Sequence, residues 1–323
     1  MENQEQTSSA RYDVAVIGGG PSGLTAGTHC ALKGLRTVVF ECQTWGGIPT
    51  RLCPRKDIEY YPGKTRKVSG EQLARTWLNG ARETGVEMRF ERVLRIWPDR
   101  TIRTEQGVYA ASTLILATGS RPVPLGVPGE AKYARTGKGV SYSVLDPKGF
   151  AGKRVMVVGG GDSAVDAAAS LVRTAGHVSL VHRGPALRAT TPARKKLDHA
   201  SNFELLLGTH LVRILGGERV ERVRLRRGEA MGPKEDEAFE MDADEVVLAV
   251  GTVPASEMYR ELGVDLDEKG HVRTDRAQRT GLEGILAAGD LASDVEMIVV
   301  ALAQGAIAAH HAYTHLRRPY WAR

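Results

Sequence analysis

The sequence predicts an α/β protein of two doubly wound domains, the second inserted into the first. A pattern that occurs twice carries this prediction: an apolar strand runs into three glycines and then into a helix of small residues, at residues 12–31 and 153–171. A second apolar run follows each copy, at residues 36–41 and 177–183. Parallel strands joined by a crossover helix form β-α-β units, which build doubly wound sheets. The length of 323 residues agrees with two hydrophobic cores.

Further apolar segments complete the two predicted sheets. Strands are predicted at residues 114–121, 246–254 and 280–290, and the last of these ends in Gly-Asp. An alanine-rich helix is predicted from residue 295 to residue 316. Each strand is rich in Val, Leu or Ile, which is typical of buried strands in a parallel sheet.

The order of these segments also predicts the domain boundaries. Residues 12–123 and 254–323 are expected to form the first domain, and residues 124–253 the inserted one. Prolines stand close to both boundaries, as is typical of linkers. Residues 1–11 are polar and are expected to form a flexible N-terminal tail.

Composition excludes several classes of protein. The N-terminus lacks the apolar run of a signal peptide, and no apolar run is long enough to span a bilayer, so a cytoplasmic protein without a membrane partner is expected. Cys30, Cys42 and Cys53 lack C-x-x-C spacing, which argues against a disulfide framework and a zinc site. The net charge of +6 comes without a nucleic-acid-binding motif, so no nucleic-acid partner and no metal are expected.

The densest basic run lies between residues 219 and 227. Its arginines alternate with Val and Leu, which predicts a strand with one solvent-facing side. These arginines are Arg219, Arg222, Arg224, Arg226 and Arg227. The run is interpreted as structural.

The first glycine motif fits G-x-G-x-x-G and predicts a dinucleotide site. Its residues are Gly18, Gly20, Pro21, Ser22 and Gly23. The first glycine permits a tight turn, the second lets the backbone approach a pyrophosphate, and the third packs the helix on the strand. The phosphates would lie at the helix N-terminus. Glu41 ends the next strand, where a carboxylate accepts hydrogen bonds from ribose hydroxyls. A glycine-rich turn without a ligand is the alternative.

The second glycine motif predicts a second dinucleotide site of different character. Its residues are Gly159, Gly161, Asp162, Ser163 and Ala164. The strand that follows ends in His182 and Arg183 instead of an acid, and Arg188 is close behind. The two arginines can neutralise a 2′-phosphate, which favours NADPH over NADH. An ordinary surface role for either arginine stays open.

Two dinucleotide sites in one chain indicate a bound flavin with an exchangeable nicotinamide. A flavin accepts hydride and passes electrons on, so the pair forms an economical redox enzyme. Gly289 and Asp290 support FAD, because the glycine permits close approach and the carboxylate can bond the polyol chain. Asp290 could equally be the N-cap of the following helix.

Jointly these motifs resemble the thioredoxin-reductase-like flavoproteins, a group that includes the low-molecular-weight thioredoxin reductases and the ferredoxin–NADP reductases of the same fold. The resemblance covers residues 12–316. It implies FAD in the first domain, NADPH in the second, and a homodimer. It extends the FAD-binding set to Gly46, Gly47, Val93, Thr118, Gly119, Gly289 and Asp290. In the NADPH-binding set it adds Gly251.

One departure from the thioredoxin reductases bears on the reaction. In those enzymes a C-x-x-C pair just before the second glycine motif carries electrons from flavin to a protein disulfide. Here Ser143 and Asp146 occupy the two positions, and neither can exchange disulfides. The resemblance therefore transfers the fold without the dithiol mechanism.

The resemblance to the ferredoxin–NADP reductases implies ferredoxin or flavodoxin as the electron acceptor. Those enzymes also lack the dithiol and share a stretch similar to residues 137–144. In them a tyrosine stacks on the flavin, and Cys53 takes its place in the segment 52–58. One alternative is a disulfide, quinone or other small-molecule acceptor, with Cys53 as a redox-active residue beside the flavin. Another is a flavin-binding sensor without turnover.

Overall fold

The computed structural model describes residues 11–52, 54, 57–58, 61–64, 67–228 and 238–318. The chain forms two compact units, of which unit 1 contains Met1–Arg121 and Val253–Arg323 and unit 2 contains Pro122–Thr252. Unit 2 is therefore inserted into unit 1. Cys53, the predicted tail up to Ala10 and Pro319–Arg323 lie outside the described residues.

The described strands and helices follow one another along the chain in three segments. The first segment of unit 1 contains β1 (Arg11–Ile17), α1 (Pro21–Leu32), β2 (Thr37–Glu41), α2 (Ile48–Arg51), β3 (Asp57–Ile58), β4 (Val68–Ser69), α3 (Gly70–Glu83), β5 (Glu87–Phe90), β6 (Val93–Ile96), β7 (Thr101–Thr104), β8 (Val108–Leu116) and β9 (Ser120–Pro122). Unit 2 follows with α4 (Glu130–Thr136), β10 (Val140–Ser141), β11 (Arg154–Val158), α5 (Asp162–Leu171), β12 (His177–Val181), α6 (Thr191–Arg194), β13 (Phe203–Leu206), β14 (Thr209–Leu215), β15 (Arg222–Arg227), β16 (Ala238–Asp242) and β17 (Glu245–Leu248). Strand β18 (Thr252–Pro254) begins at the last residue of unit 2 and ends in unit 1. The chain then returns to unit 1 with β19 (Ile285–Ala287) and α7 (Ile298–Arg317).

Unit 1 is built on a seven-stranded sheet in the order β5-β2-β1-β8-β7-β6, with β19 paired to β8. The strands β5, β2, β1, β8 and β19 run parallel. One face of the sheet packs against the small residues of α1 and α7, such as Ala26 and Ala308. The opposite core contains Ile96, Tyr109 and Tyr259. Small side chains on these helices allow close helix packing, which explains their composition.

Unit 2 repeats this plan with a five-stranded parallel sheet in the order β10-β17-β11-β12-β13. Helix α5 buries Ala164, Val165 and Ala168 in the core on one face. The core on the other face includes Val223 and Leu225 of the antiparallel sheet β14-β15-β16. The predicted α/β class, with two doubly wound domains, is confirmed.

Several predicted strands are shorter than the apolar runs that predicted them. Of residues 280–290 only β19 is a strand, because it pairs with three residues of β8 before the chain turns into the 3₁₀ helix Gly289–Leu291. The run 246–254 divides into β17 and β18 around Gly251, whose φ of +113° breaks the strand. Helix α7 begins at Ile298, after Met297 as N-cap, instead of at residue 295. Within the described residues, no helix is long and apolar enough to cross a bilayer.

Candidate dinucleotide-binding sites

Both glycine motifs lie at the carboxyl end of a central parallel strand that has a neighbouring strand on either side. Gly18 follows β1, which pairs with β2 and β8, and Gly159 follows β11, which pairs with β12 and β17. Open α/β sheets bind ligands at such points, outside the carboxyl ends of the strands. Each unit therefore presents its motif at the expected edge of its sheet.

The first glycine of each motif is required by conformation and by space. Gly18 has a φ of +113°, and a Cβ there would lie 2.3 Å from the carbonyl oxygen of Ala117. Gly159 has a φ of +151°, and its Cβ would lie 2.2 Å from the carbonyl oxygen of Ala249. The tight turn in both units thus depends on a residue without a side chain.

The second glycine of each motif is required neither by its conformation nor by a contact within the described residues. Gly20 and Gly161 are the N-cap residues of α1 and α5, with φ of −77° and −93°, which any residue adopts. A Cβ on Gly20 would meet no heavy atom nearer than the Gly47 Cα at 3.8 Å, and one on Gly161 would meet nothing within 4 Å. Each helix N-terminus is thus open to a pyrophosphate.

The remaining motif residues of unit 1 fix α1 in place. A Cβ on Gly23 would lie 1.8 Å from the Gly18 carbonyl oxygen, so only glycine allows this packing. Pro21 occupies the first turn, where its missing N–H costs nothing. Ser22 is buried, and the Cβ of a residue at position 289 would lie 2.5 Å from its Oγ. Gly289 is therefore held close to the start of α1.

Glu41 has a different set of contacts from the predicted one. Its Oε2 accepts from the Gly19 N–H at 2.8 Å. Its Oε1 accepts from the N–H groups of Cys42, Gln43 and Thr44. The carboxylate thus organises the glycine turn and the loop after β2. Further acceptor capacity on Oε2 is available to a ribose hydroxyl, so ribose binding stays a prediction.

Gly46 and Gly47 bring the loop after Glu41 against the glycine motif. They have φ of +95° and +64°, in the region that favours glycine. The Gly46 N–H donates to the Gly19 carbonyl at 2.8 Å, and a Cβ on Gly47 would lie 2.9 Å from the Gly20 Cα. The pair therefore borders the space in front of Gly20.

The Asp290 carboxyl group lies beside this site and has a raised pKa and weak hydrogen bonding. The Ser120 Oγ donates to its Oδ2 over a long 3.5 Å. Burial, together with the nearby Glu296 carboxylate, raises the pKa of Asp290 to about 6. The residue is not the N-cap of α7, which is Met297. A half-buried carboxylate with so little hydrogen bonding matches the hydroxyl donors of a polyol chain.

Three other residues proposed for the FAD set differ in their surroundings. Gly119 has a φ of +65°, and a Cβ there would meet no other atom within 4 Å. The hydroxyl of Thr118 is already engaged, since it donates to the Ala255 carbonyl at 3.0 Å. Val93 packs against the core that contains Ile96 and Tyr109. The structure thus gives Val93 a packing role, and its contact with a cofactor stays a prediction.

In unit 2 the glycine motif is tied to the loop that carries Arg188. The N–H of Arg188 donates to the Gly160 carbonyl at 2.7 Å. The Asp162 carboxylate accepts from the backbone N–H of Thr190 at 2.8 Å and from its hydroxyl at 3.0 Å. Ser163 is exposed on the first turn of α5, and Ala164 is buried beneath it. The backbone after Arg188 is therefore fixed against the helix N-terminus.

His182 lies between the glycine turn and the two arginines. A Cβ on Gly160 would lie 2.3 Å from its ring, and one on Gly184 would lie 2.9 Å from its Nε2. Burial lowers the pKa of His182, and the charges of Arg188 and Arg183 lower it further. Both arginine side chains are exposed. The structure thus brings His182 together with the two arginines that the sequence assigned to a phosphate.

Two positions outside the motifs complete the description of unit 2. Gly251 has a φ of +113° and open space around it, and its carbonyl accepts from the Val123 N–H at 3.0 Å. Asp146, at one dithiol position, accepts from the Lys148 N–H at 3.1 Å and caps the 3₁₀ helix Pro147–Phe150. Its carboxylate therefore has a structural role there.

Sequence patterns missed several residues that shape the unit 1 site. The Gln304 Oε1 accepts from the Gly289 N–H at 2.8 Å. The Trp45 ring lies beside Gly19, so that a Cβ on the glycine would be 2.5 Å from it. The Arg51 guanidinium donates to the Ser120 carbonyl at 3.2 Å. These contacts join distant parts of the chain, and no local pattern marks them.

Comparison with known proteins adds independent information. A family model described as pyridine nucleotide-disulphide oxidoreductase matches residues 12–305. The thioredoxin reductase of Treponema pallidum (strain Nichols) is 32% identical over 310 residues, which is 94% of this chain and 97% of the relative. The thioredoxin reductase of Peptoclostridium acidaminophilum is 33% identical over 312 residues, 93% and 96% of the two chains.

Solved structures give the same result. The Lactococcus lactis thioredoxin reductase in its FR conformation superposes with a TM-score of 0.85 at 30% identity, covering 95% of this chain and 100% of that one. The T. acidophilum thioredoxin reductase gives a TM-score of 0.82 at 28% identity, covering 94% and 98%. The similarity thus extends over both units.

Proposed function

The chain belongs to the pyridine nucleotide-disulphide oxidoreductase family, and we propose that it is an FAD-dependent NADPH oxidoreductase that delivers electrons without a dithiol. One observation carries the proposal. The chain has two glycine motifs, each with an open helix N-terminus for a dinucleotide, and it has no cysteine at positions 143 and 146. Ferredoxin or flavodoxin is the proposed acceptor.

The residues of unit 1 fit FAD. Gly20 leaves open space at the N-terminus of α1, where the pyrophosphate would bind, and Gly46 and Gly47 border that space. Glu41 retains acceptor capacity for a ribose hydroxyl. Asp290 offers a poorly solvated carboxylate to the polyol chain.

The residues of unit 2 fit NADPH. Gly161 leaves the N-terminus of α5 open to a second pyrophosphate. Arg183 and Arg188 are exposed and act together on His182, so a 2′-phosphate beside them would receive charge-assisted hydrogen bonds. A 2′-hydroxyl would find no carboxylate at the end of β12, which supports NADPH over NADH.

When bound, the flavin supplies the capacity to accept a hydride and to release electrons to an acceptor. No side chain needs to act as an acid or base for a hydride to transfer. The contribution of this chain is to bind and orient the two dinucleotides, because correct placement of reacting groups removes much of the entropic barrier.

Asp146 supports a dithiol-free route to the acceptor. Its carboxylate caps a 3₁₀ helix, and Ser143 stands at the other position, so neither residue forms a disulfide. A second candidate is direct reduction of a disulfide, quinone or other small molecule by the flavin. The names of the curated relatives, which are thioredoxin reductases, favour this candidate.

Anaerobic reduction of the purified protein tests the proposal. Addition of NADPH is expected to bleach the flavin within seconds, and no bleaching would indicate the non-catalytic sensor. Gly161→Val is the matched control, because a side chain there fills the open space at the N-terminus of α5, where NADPH would bind in unit 2. Its flavin is expected to bleach with dithionite and not with NADPH.

An acceptor series then separates the two candidates. The NADPH-reduced protein is mixed with ferredoxin, flavodoxin, thioredoxin, a quinone and oxygen, and the return of the oxidised flavin spectrum is timed. Fastest reoxidation by ferredoxin or flavodoxin is expected. Fastest reoxidation by thioredoxin or a quinone would contradict the proposed acceptor and leave the NADPH-to-flavin reaction intact.

A further inference from the structure

Arg51 is a half-buried cation beside the glycine motif of unit 1, and no motif in the sequence includes it. It is the last residue of α2, whose N-cap is Gly47. The Arg51 N–H donates to the Gly47 carbonyl at 2.8 Å, and Gly47 in turn borders the space in front of Gly20. One turn of α2 thus separates Arg51 from the proposed pyrophosphate site.

The Arg51 guanidinium contacts two segments that are distant in the sequence. Its Nη1 donates to the Oε1 of Gln43, in the loop after β2. Its Nη2 donates to the Ser120 carbonyl at 3.2 Å, where β9 begins. The Ser120 hydroxyl donates in turn to the Asp290 carboxylate at 3.5 Å. The guanidinium therefore joins the loop that follows Glu41 to the residues beside Asp290.

The covalent order of FAD indicates which group would meet this guanidinium. Glu41 is the proposed partner of the adenosine ribose and Asp290 that of the polyol chain, and in FAD the pyrophosphate joins these two parts. The Glu41 carboxylate lies within electrostatic reach of Arg51. Ser120 connects Arg51 to Asp290 at the other end. The guanidinium thus lies between the two ends of the proposed site, where the pyrophosphate would lie.

The charge of Arg51 has no counter-ion among the described residues. Arg75 and Arg89 of the same unit form ion pairs with Glu71 and Glu87, whereas Arg51 forms none with a described carboxylate. Burial lowers the pKa of Arg51, because its charge is partly removed from water. A guanidinium has five N–H donors, and the described residues accept from two of them. Donors and charge therefore remain for an anionic ligand.

We propose that Arg51 is a cofactor-binding residue whose guanidinium donates to the pyrophosphate of FAD. The N-terminus of α1 offers backbone N–H groups to the same phosphates, and the planar fork of an arginine matches two phosphate oxygens. The inference rests on the proposed function, since it adds a residue to the proposed FAD site. Arg51 binds the cofactor and takes no part in hydride transfer.

Titration of the FAD-free, full-length protein with FAD tests this inference without any activity assay. Flavin fluorescence gives the dissociation constant of each variant. Arg51→Ala is expected to raise the dissociation constant at least about tenfold, through the loss of charge-assisted hydrogen bonds to phosphate. Arg51→Lys is expected to bind FAD with intermediate affinity, since it keeps the charge without the planar fork.

Two control variants separate a contact with phosphate from a structural role. Gln43→Ala removes the hydrogen bond between Gln43 and Arg51 and leaves the guanidinium in place, so it is expected to bind FAD as wild type does. If Arg51 only held the loop after β2, Gln43→Ala would weaken FAD as well. Arg82→Ala removes an exposed arginine of α3 in the same unit and is expected to have no effect.

Phosphorus NMR of the FAD-loaded proteins provides a direct spectroscopic readout. The resonances of the bound pyrophosphate are expected to shift between wild type and Arg51→Lys, because the groups that donate to the phosphates differ. They are expected to stay unchanged in Gln43→Ala. Circular dichroism and thermal melting of the FAD-free proteins establish that each variant is folded, and the Arg51→Lys spectrum decides if Arg51→Ala is not.

The possible results separate this inference from the proposed function. If the wild-type protein binds no FAD, the cofactor assignment fails and this inference fails with it. If wild type and a folded Arg51→Ala bind FAD equally well, this inference alone is overturned. Equal weakening by Gln43→Ala and Arg51→Ala would also overturn it, as would phosphorus resonances that Arg51→Lys leaves unshifted.

Discussion

Replacing Asp290 by asparagine should make the apoprotein more stable while weakening its hold on FAD. Burial and the Glu296 carboxylate raise the pKa of Asp290 to about 6 from a usual 3.8. Ionising this group in the folded apoprotein therefore costs free energy, at most about 3 kcal/mol at pH 8. Because the side chain is only half-buried, solvent reduces the expected gain from Asp290→Asn to about 1 to 2 kcal/mol.

The effect should depend on pH in a defined direction. A carboxyl whose folded-state pKa is raised contributes relative stability below its unfolded pKa of about 4 and loses it as the pH rises through about 6. The stability difference between Asp290→Asn and wild type should thus be small at pH 4 and largest at pH 8. FAD affinity should change in the opposite sense, since hydroxyl donors bind the ionised carboxylate more strongly than an amide.

Urea unfolding of the FAD-free proteins at pH 4 and pH 8 measures the first effect, and flavin fluorescence titration measures the second. Asp265→Asn is the matched control in the same unit, because Asp265 is exposed, and it should alter neither quantity. An Asp290→Asn apoprotein no more stable than wild type at pH 8 would refute the electrostatic argument. An unchanged FAD affinity would refute the assignment of the carboxylate to the polyol chain.

Three further outcomes follow from the structure. Gly20→Val should fold and yet purify without FAD, because its side chain enters the open space in front of α1. Gly80→Ala in α3, where a Cβ would also meet no other atom, should retain the flavin, and a yellow Gly20→Val protein would count against the site. The double variant Arg183→Ala, Arg188→Ala should lower the NADPH-to-NADH ratio of kcat/KM at least about tenfold. An unchanged ratio would show that neither arginine binds the 2′-phosphate. Glu91→Ala should reduce the free energy of unfolding by about 2 to 4 kcal/mol in urea, because the buried carboxylate bonds Arg89, Thr104 and Tyr109; a loss below about 1 kcal/mol would contradict this.

The fold class could be predicted because its determinants are local in the sequence. A strand, a glycine turn and a helix of small residues follow one another within about 20 residues, and each step has its own residue preference. The same holds for Gly23, whose tight contact with the Gly18 carbonyl oxygen is a consequence of the turn itself. The second copy of the pattern lies between segments that belong to the first domain, so the order of the segments alone indicated that one domain is inserted into the other.

The ends of the elements and the contacts of the polar groups required the tertiary structure. Strand β19 is shorter than its apolar run because only three residues find a partner in β8. The Glu41 carboxylate accepts from the Gly19 N–H of the glycine turn and from three N–H groups of the loop after β2. The weak hydrogen bonding of Asp290 likewise depends on Ser120, far away in the chain.

Arg226 shows the difference most clearly. The alternation of arginine with Val and Leu determined that β15 is a strand and which of its side chains are buried, because period-two patterns are set by the backbone alone. The same alternation does not distinguish Arg226 from the other arginines of the run. Only the hydrogen bonds that join Gly184, Gly208 and Gly228 place the end of this strand beside Arg183, since residues distant in sequence become neighbours only when the sheets are assembled.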